Sequence, residues 1–154
     1  GGGQEHGLRA GTENVAYAVG LGEAAALAAR SLAAGESRRQ LTLRDQLEHR
    51  LATLLPGRVH LNGHPVQRLP NTANLRIDDA PALALLADLT DVVVSAGSAC
   101  HAGRDEPSAV LTAMGLSDTE ALTAIRVSLG RWTTAAEVDA ACTHLAGATR
   151  TDHP

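Results

Sequence analysis

The most telling absence is lysine. All 13 basic residues of this 154-residue chain are arginine. The chain therefore cannot supply its own lysine Schiff base, a P-loop lysine or a Ser–Lys dyad. Phenylalanine is also missing, and aromatics are 1% of the residues, so the core must be Leu, Val and Ala. The two cysteines, Cys100 and Cys142, form no C-x-x-C pair and no zinc spacing. Nothing suggests a disulfide framework, and a reducing cytoplasm is the expected compartment. His60 and His64 are four apart, but Asn62-Gly63 breaks any helix between them, so no metal site is expected. The longest stretch free of acidic and basic residues runs from Val92 to Gly103. A membrane span needs roughly 20 apolar residues, so none is expected. The net charge of -4 and the lack of a basic stripe argue against a nucleic-acid partner. No signal-peptide pattern opens the chain. A first residue of Gly rather than Met leads us to expect a processed, trimmed or partial product.

What is present suits a packed domain. Hydrophobic residues make up 44% and charged residues 19%. That is enough to build a core, and the length fits one domain. Gly1 to Gly11 reads as a glycine-rich loop. Thr12-Glu13-Asn14 then offers capping residues for an alanine-rich helix through about Ala33, broken by Gly35. A second helix carries Leu41, Leu43, Leu47, Leu51, Leu54 and Leu55 on its apolar side. Arg38, Arg39, Arg44, Asp45, Glu48 and Arg50 form its expected wet face, and Pro56-Gly57 stops it. Strands are expected at Val59–Asn62, Thr72–Ile77, Val92–Val94 and Ala124–Leu129. Pro81 at a first helical turn introduces a short helix to Leu89. Pro107 opens another, to about Met114. Ser117 with Glu120 forms a capping box. Thr134 caps a last helix in which Val138, Ala141, Cys142 and Leu145 share a face. The expected fold is α/β (α+β), a small mixed or largely antiparallel sheet covered by helices.

Three residues could carry chemistry. Cys100 follows a strand among small side chains that would let its thiol swing into a site. His101 and Arg104 nearby would favour the reactive thiolate. A buried, inert thiol is the competing reading, and for Cys142, on an apolar helix face, it prevails. Arg126 lies mid-strand, with Ser128 on its face. A guanidinium held this way can grip a carboxylate through two parallel hydrogen bonds, although an ordinary ion pair on an exposed face is the alternative. Thr12, at a helix start after the glycines, offers a hydroxyl to an anion, against a plain flexible loop.

Taken together, the segments resemble a known family. Gly1 to Val15, GGGQEHGLRAGTENV, is similar to the GGGQE-x-G-x-R-x-GTENV segment of the pyridoxal-phosphate-dependent cysteine desulfurases of the class V aminotransferase superfamily. Ser95 to Leu111, SAGSACHAGRDEPSAVL, resembles their active-cysteine loop. Ala124 to Thr134, AIRVSLGRWTT, resembles their IR-x-S-x-GR-x-TT strand, and Gln67 to Leu75, QRLPNTANL, is a weaker fourth match. Order and spacing agree along nearly the whole chain.

The resemblance implies roles. Cys100 falls on the nucleophile that takes sulfur from L-cysteine, leaving L-alanine and a persulfide. Arg126 falls on the arginine that binds the substrate α-carboxylate. Thr12 falls on a threonine that contacts the cofactor phosphate of the other subunit in a homodimer. The implied cofactor is pyridoxal phosphate, with iron–sulfur scaffold proteins or other sulfur acceptors as partners. The implied fold is the small C-terminal domain of fold-type I pyridoxal-phosphate enzymes. Residues 1–13 would end the large cofactor-binding domain, and residues 14–154 would form the small one. The family's cofactor-anchoring lysine lies upstream of the triple glycine, so this chain by itself is expected to be inactive. Two alternatives stay open. One is a selenocysteine lyase, whose cysteine loop Ala99-Cys100-His101 resembles, although the distance from Cys100 to Pro107 follows the desulfurase register. The other is a truncated, non-catalytic module that dimerises or binds a partner.

Overall fold

A computed structural model describes residues 1–96 and 106–149. The chain forms two compact units, Gly1–Glu36 and Ser37–Pro154.

In the first unit, a 3₁₀ turn spans Gln4–Gly7 and a helix, α1, spans Val15–Ala33. Glu5, His6 and Gly7 all take positive φ, at 52°, 55° and 80°. Only glycine does so without cost, so Glu5 and His6 hold a strained backbone. Asn14 caps α1, its side-chain oxygen accepting from the Tyr17 N–H at 3.2 Å. Gly35 follows the helix with φ of 90°, which explains why a glycine stands at the break.

The second unit is a four-stranded antiparallel sheet with helices on it. Its elements are α2 (Glu36–Leu54), β1 (Val59–Leu61), β2 (Thr72–Ile77), α3 (Ala82–Asp88), β3 (Ser95–Ala96), α4 (Ala109–Ala113), α5 (Asp118–Leu122), β4 (Ala124–Ser128) and α6 (Ala135–Ala148). The strand order is β1-β2-β4-β3. Along β2, Ala73, Leu75 and Ile77 are buried while Thr72, Asn74 and Arg76 are half-buried. Along β4, Ile125 and Val127 are buried while Arg126 and Ser128 are exposed. This period-2 alternation gives the sheet an apolar inner face and a polar outer face. Leu43, Leu47 and Leu51 of α2, Leu85 of α3, and Val138, Cys142 and Leu145 of α6 complete the core on the inner face. A small second cluster joins Leu111 of α4 and Ala121 of α5 to Ala124. Capping boxes start α5 at Ser117 and α6 at Thr134.

Three sequence expectations change. Val92–Val94 is not a strand. The segment that pairs with β4 is Ser95–Ala96, opposite Arg126 and Ile125. Val93 is 99% exposed, so β-branching without a pairing partner did not make a strand. Arg44 is not on a wet face but buried. Its guanidinium donates to the Leu69 carbonyl at 2.9 Å and pairs with Asp45 at 2.9 Å. Pro81 is the cap of α3 rather than its first helical residue.

The core makes two predictions. Leu51, fully buried, should cost about 2–5 kcal/mol when changed to Ala, against less than about 0.5 kcal/mol for Leu41→Ala on the rim. Urea unfolding of both variants measures the difference. The second concerns Cys142, whose thiol donates to the Leu47 carbonyl at 3.6 Å. Burial, with Asp139 adding to it, pushes that thiol from its ordinary 9.0 up to about 11. The fold favours the protonated thiol, so this contribution is complete below about pH 9 and is lost as pH rises toward about 11. Denaturant titrations across that window should show stability falling, and Cys142→Ala should flatten the fall.

Candidate active site

The candidate residues fall in different places. Cys100 lies outside the described residues. Thr12 belongs to the first unit and Arg126 to the second.

Thr12 is exposed and stands two residues before the Asn14 cap of α1. Arg9 braces this stretch. Its guanidinium donates to the carbonyls of Gly11 (3.1 Å) and Thr12 (3.2 Å) and pairs with Glu13 (2.8 Å). Gly11 takes φ of 101°, a turn that a side chain would strain. The Thr12 hydroxyl has no partner among the described residues, so it stands as an unused donor at the approach to a helix N-terminus.

Arg126 sits in the middle of β4, on the outer face of the sheet, with Asn74 of β2 opposite it on one side and Ser95 of β3 on the other. It is exposed and has no acidic partner among the described residues. The ion-pair alternative is therefore not seen there. Beyond Asn74 the row continues to Asn62, which is 7% exposed and follows β1. The Asn62 amide donates to Asn74 Oδ1 at 2.8 Å, and its own Oδ1 accepts from Arg76 at 3.0 Å. Glu120 lies 3.7 Å from Arg76. The Ser117 backbone N–H and hydroxyl, which cap α5 through this same carboxylate, hold Glu120 below its ordinary value. The outer face thus presents two guanidinium groups, two amides and hydroxyls, with one carboxylate set against Arg76.

Sequence reading singled out Arg126 but not Asn62, Asn74, Arg76 or Ser95. The alternation in Thr72–Ile77 places Asn74 and Arg76 on the polar side of that strand, yet nothing in the sequence says which strand lies beside Arg126. That pairing is non-local and emerges only from the strand order.

A second feature is a groove of about 480 Å³ bordered by Val92–Val94, the end of β4, Trp132 and α6. Trp132 is 81% exposed, with the Arg131 guanidinium 5.1 Å above its ring.

The donors present suit anionic groups. Thr12 can take a phosphate oxygen and Arg126 a carboxylate, while the chain contains no lysine amine to hold pyridoxal phosphate covalently. Taken singly, each donor is chemically compatible with an anionic group of that cofactor or its substrate.

Comparison with known proteins gives the family and the fold. Residues 2–141 match the Aminotransferase class-V family model. A cysteine desulfurase of Frankia sp. (strain EuIK1) is 50% identical over 90% of this chain, which covers 33% of that protein. The cysteine desulfurase IscS of Acinetobacter baumannii (strain AYE) is 43% identical over 90% of this chain and 34% of its own length. The X-ray structure of a NifS-like protein from Rickettsia africae ESF-5 superimposes with a TM-score of 0.80 at 33% identity, over 96% of this chain and 38% of that one. The chain thus spans about a third of the length of the relatives it matches. With a family model matching most of its length and solved structures of the same fold, the chain belongs to the class V aminotransferase family.

Proposed function

We propose that this chain is the C-terminal part of a pyridoxal-phosphate-dependent cysteine desulfurase, acting in a cytoplasmic homodimer. Residues 1–13 end the cofactor-binding domain and residues 14–154 form the small domain. The observation that carries the reading is Arg126, a guanidinium without an acidic partner among the described residues, projecting from mid-strand in a chain 43–50% identical to cysteine desulfurases. The missing lysine and the one-third coverage support a further point, that the chain alone is inactive.

Each residue has a physical task. Arg126 binds the α-carboxylate of L-cysteine with its forked donors and fixes the amino acid's orientation. Thr12 donates its hydroxyl to the cofactor phosphate of the partner subunit. Pyridoxal phosphate, when bound, supplies an electron sink for the substrate carbon. The Cys100 thiolate attacks the substrate sulfur. A sulfur–sulfur bond forms, the carbon–sulfur bond breaks, and its electron pair stays with the carbon that becomes the methyl group of alanine. Thiol plus L-cysteine gives persulfide plus L-alanine, balanced without an outside oxidant. The persulfide sulfur then passes to an iron–sulfur scaffold or another acceptor.

Alanine release from L-cysteine with added pyridoxal phosphate tests the proposal. The chain alone should give none, and a protein joining it to a lysine-bearing large domain should turn over. In that protein Cys100→Ser should abolish turnover. Arg126→Ala should raise KM for L-cysteine about 10- to 100-fold, the loss expected for a charged hydrogen-bonded pair. Turnover by the isolated chain, or an unchanged KM in the Arg126 variant, would count against the reading. Faster turnover of L-selenocysteine than of L-cysteine would favour a selenocysteine lyase instead.

A further inference from the structure

The outer face of the sheet carries a hydrogen-bond relay whose direction is fixed at one end. Arg76 can only donate. It donates to Asn62 Oδ1 at 3.0 Å, so Asn62 must present its amide nitrogen to its other neighbour. That nitrogen donates to Asn74 Oδ1 at 2.8 Å. The oxygen of Asn74 is thereby engaged on the Asn62 side, and its amide nitrogen has no partner among the described residues. Asn62 is buried and cannot turn over without stranding a polar atom away from water. Glu120 lies 3.7 Å from the Arg76 guanidinium as a charge partner. The relay ends in register with Arg126, since Asn74 and Arg126 are direct cross-strand partners. Such partners project from the same face with their Cβ atoms about 5 Å apart. Ser95 occupies the matching position on the other side of Arg126.

We infer that Asn74 is a second donor to the carboxylate held by Arg126, and that Asn62 and Arg76 are positioning residues that keep its amide nitrogen turned toward that carboxylate. The inference rests on the reading of Arg126 as the substrate's carboxylate anchor. It adds a specificity rule. Arg126 and the Asn74 amide nitrogen each offer a carboxylate a donor, so an amine lacking the carboxylate gains nothing from them. An amide at Asn74 free to flip would place an oxygen against the substrate's own.

The test uses the cofactor-loaded enzyme containing this chain. L-alanine and ethylamine, which differ by the carboxylate, are measured as competitors of L-cysteine. Asn74→Ala should weaken L-alanine about tenfold while changing ethylamine less than about twofold. Asn62→Asp should do the same, because a carboxylate at that position still accepts from Arg76 but cannot donate to Asn74. If Asn62→Asp does not fold, Asn74→Ala at its half-buried position decides alone. Equal weakening of both competitors would mean a merely structural role and would overturn the inference, as would no change in either. Arg126→Ala separates the two levels. If it weakens L-alanine selectively and the Asn variants do not, only the relay fails. If Arg126→Ala leaves the two competitors in their original ratio, the carboxylate reading of Arg126 fails first.

Discussion

The pairing of β2 with β4 is the constraint on which the rest of the second unit depends. Its register sets Ala73 against Val127 and Leu75 against Ile125 on the inner face. The same register sets Asn74 against Arg126 on the outer face. Because side chains alternate with period 2, a slip of one residue would carry Arg126 into a core lined by leucines and drive Ile125 into water. Burial of Leu75, Ile77 and Ile125 therefore fixes the position of the polar row as firmly as it fixes the core. Neither link can be changed alone.

The outer face is also tied to the helices that border it. Glu120 closes the capping box of α5 with Ser117 and at the same time lies against Arg76. Ala121 and Leu111 pack on Ala124, the first residue of β4. One end of the outer face is thus covered by α4 and α5, while the middle, at Arg126, is left open. A carboxylate shared between a helix cap and a guanidinium makes the polarity of the row a consequence of helix placement. Solvent-exposed pairs of this kind add little stability by themselves. Their value here is geometric.

Much of this was legible in the sequence, for identifiable reasons. The alternation in Thr72–Ile77 and Ala124–Ser128 is strong because one face is dry, so both strands and the exposed side of Arg126 could be read directly. The capping boxes at Ser117 and Thr134 are local chemistry, and local chemistry survives folding. Val92–Val94 misled because β-propensity reports a side chain's fit to a sheet, not the presence of a partner strand. Arg44 misled because helical periodicity places it among charged neighbours, whereas its partner, the Leu69 carbonyl, comes from a distant loop. The row from Asn62 to Ser95 was hidden for the same cause. Its members come from β2, β3, β4 and the residue that follows β1, and their adjacency exists only in the strand order.

The choice of arginine over lysine gains meaning from this architecture. Arg39 donates to the carbonyls of Gly130, Arg131 and Thr133, holding the loop between β4 and α6. Arg58 donates twice to the Asp78 carbonyl, and Arg44 reaches the Leu69 carbonyl from within the core. Each uses the planar, several-donor geometry of a guanidinium to tie down backbone that no strand or helix satisfies. A lysine ammonium, a compact and strongly hydrated point charge, could not span several carbonyls this way. Arg126 carries the same donor fork on an equally rigid element, yet no carbonyl or carboxylate among the described residues meets it.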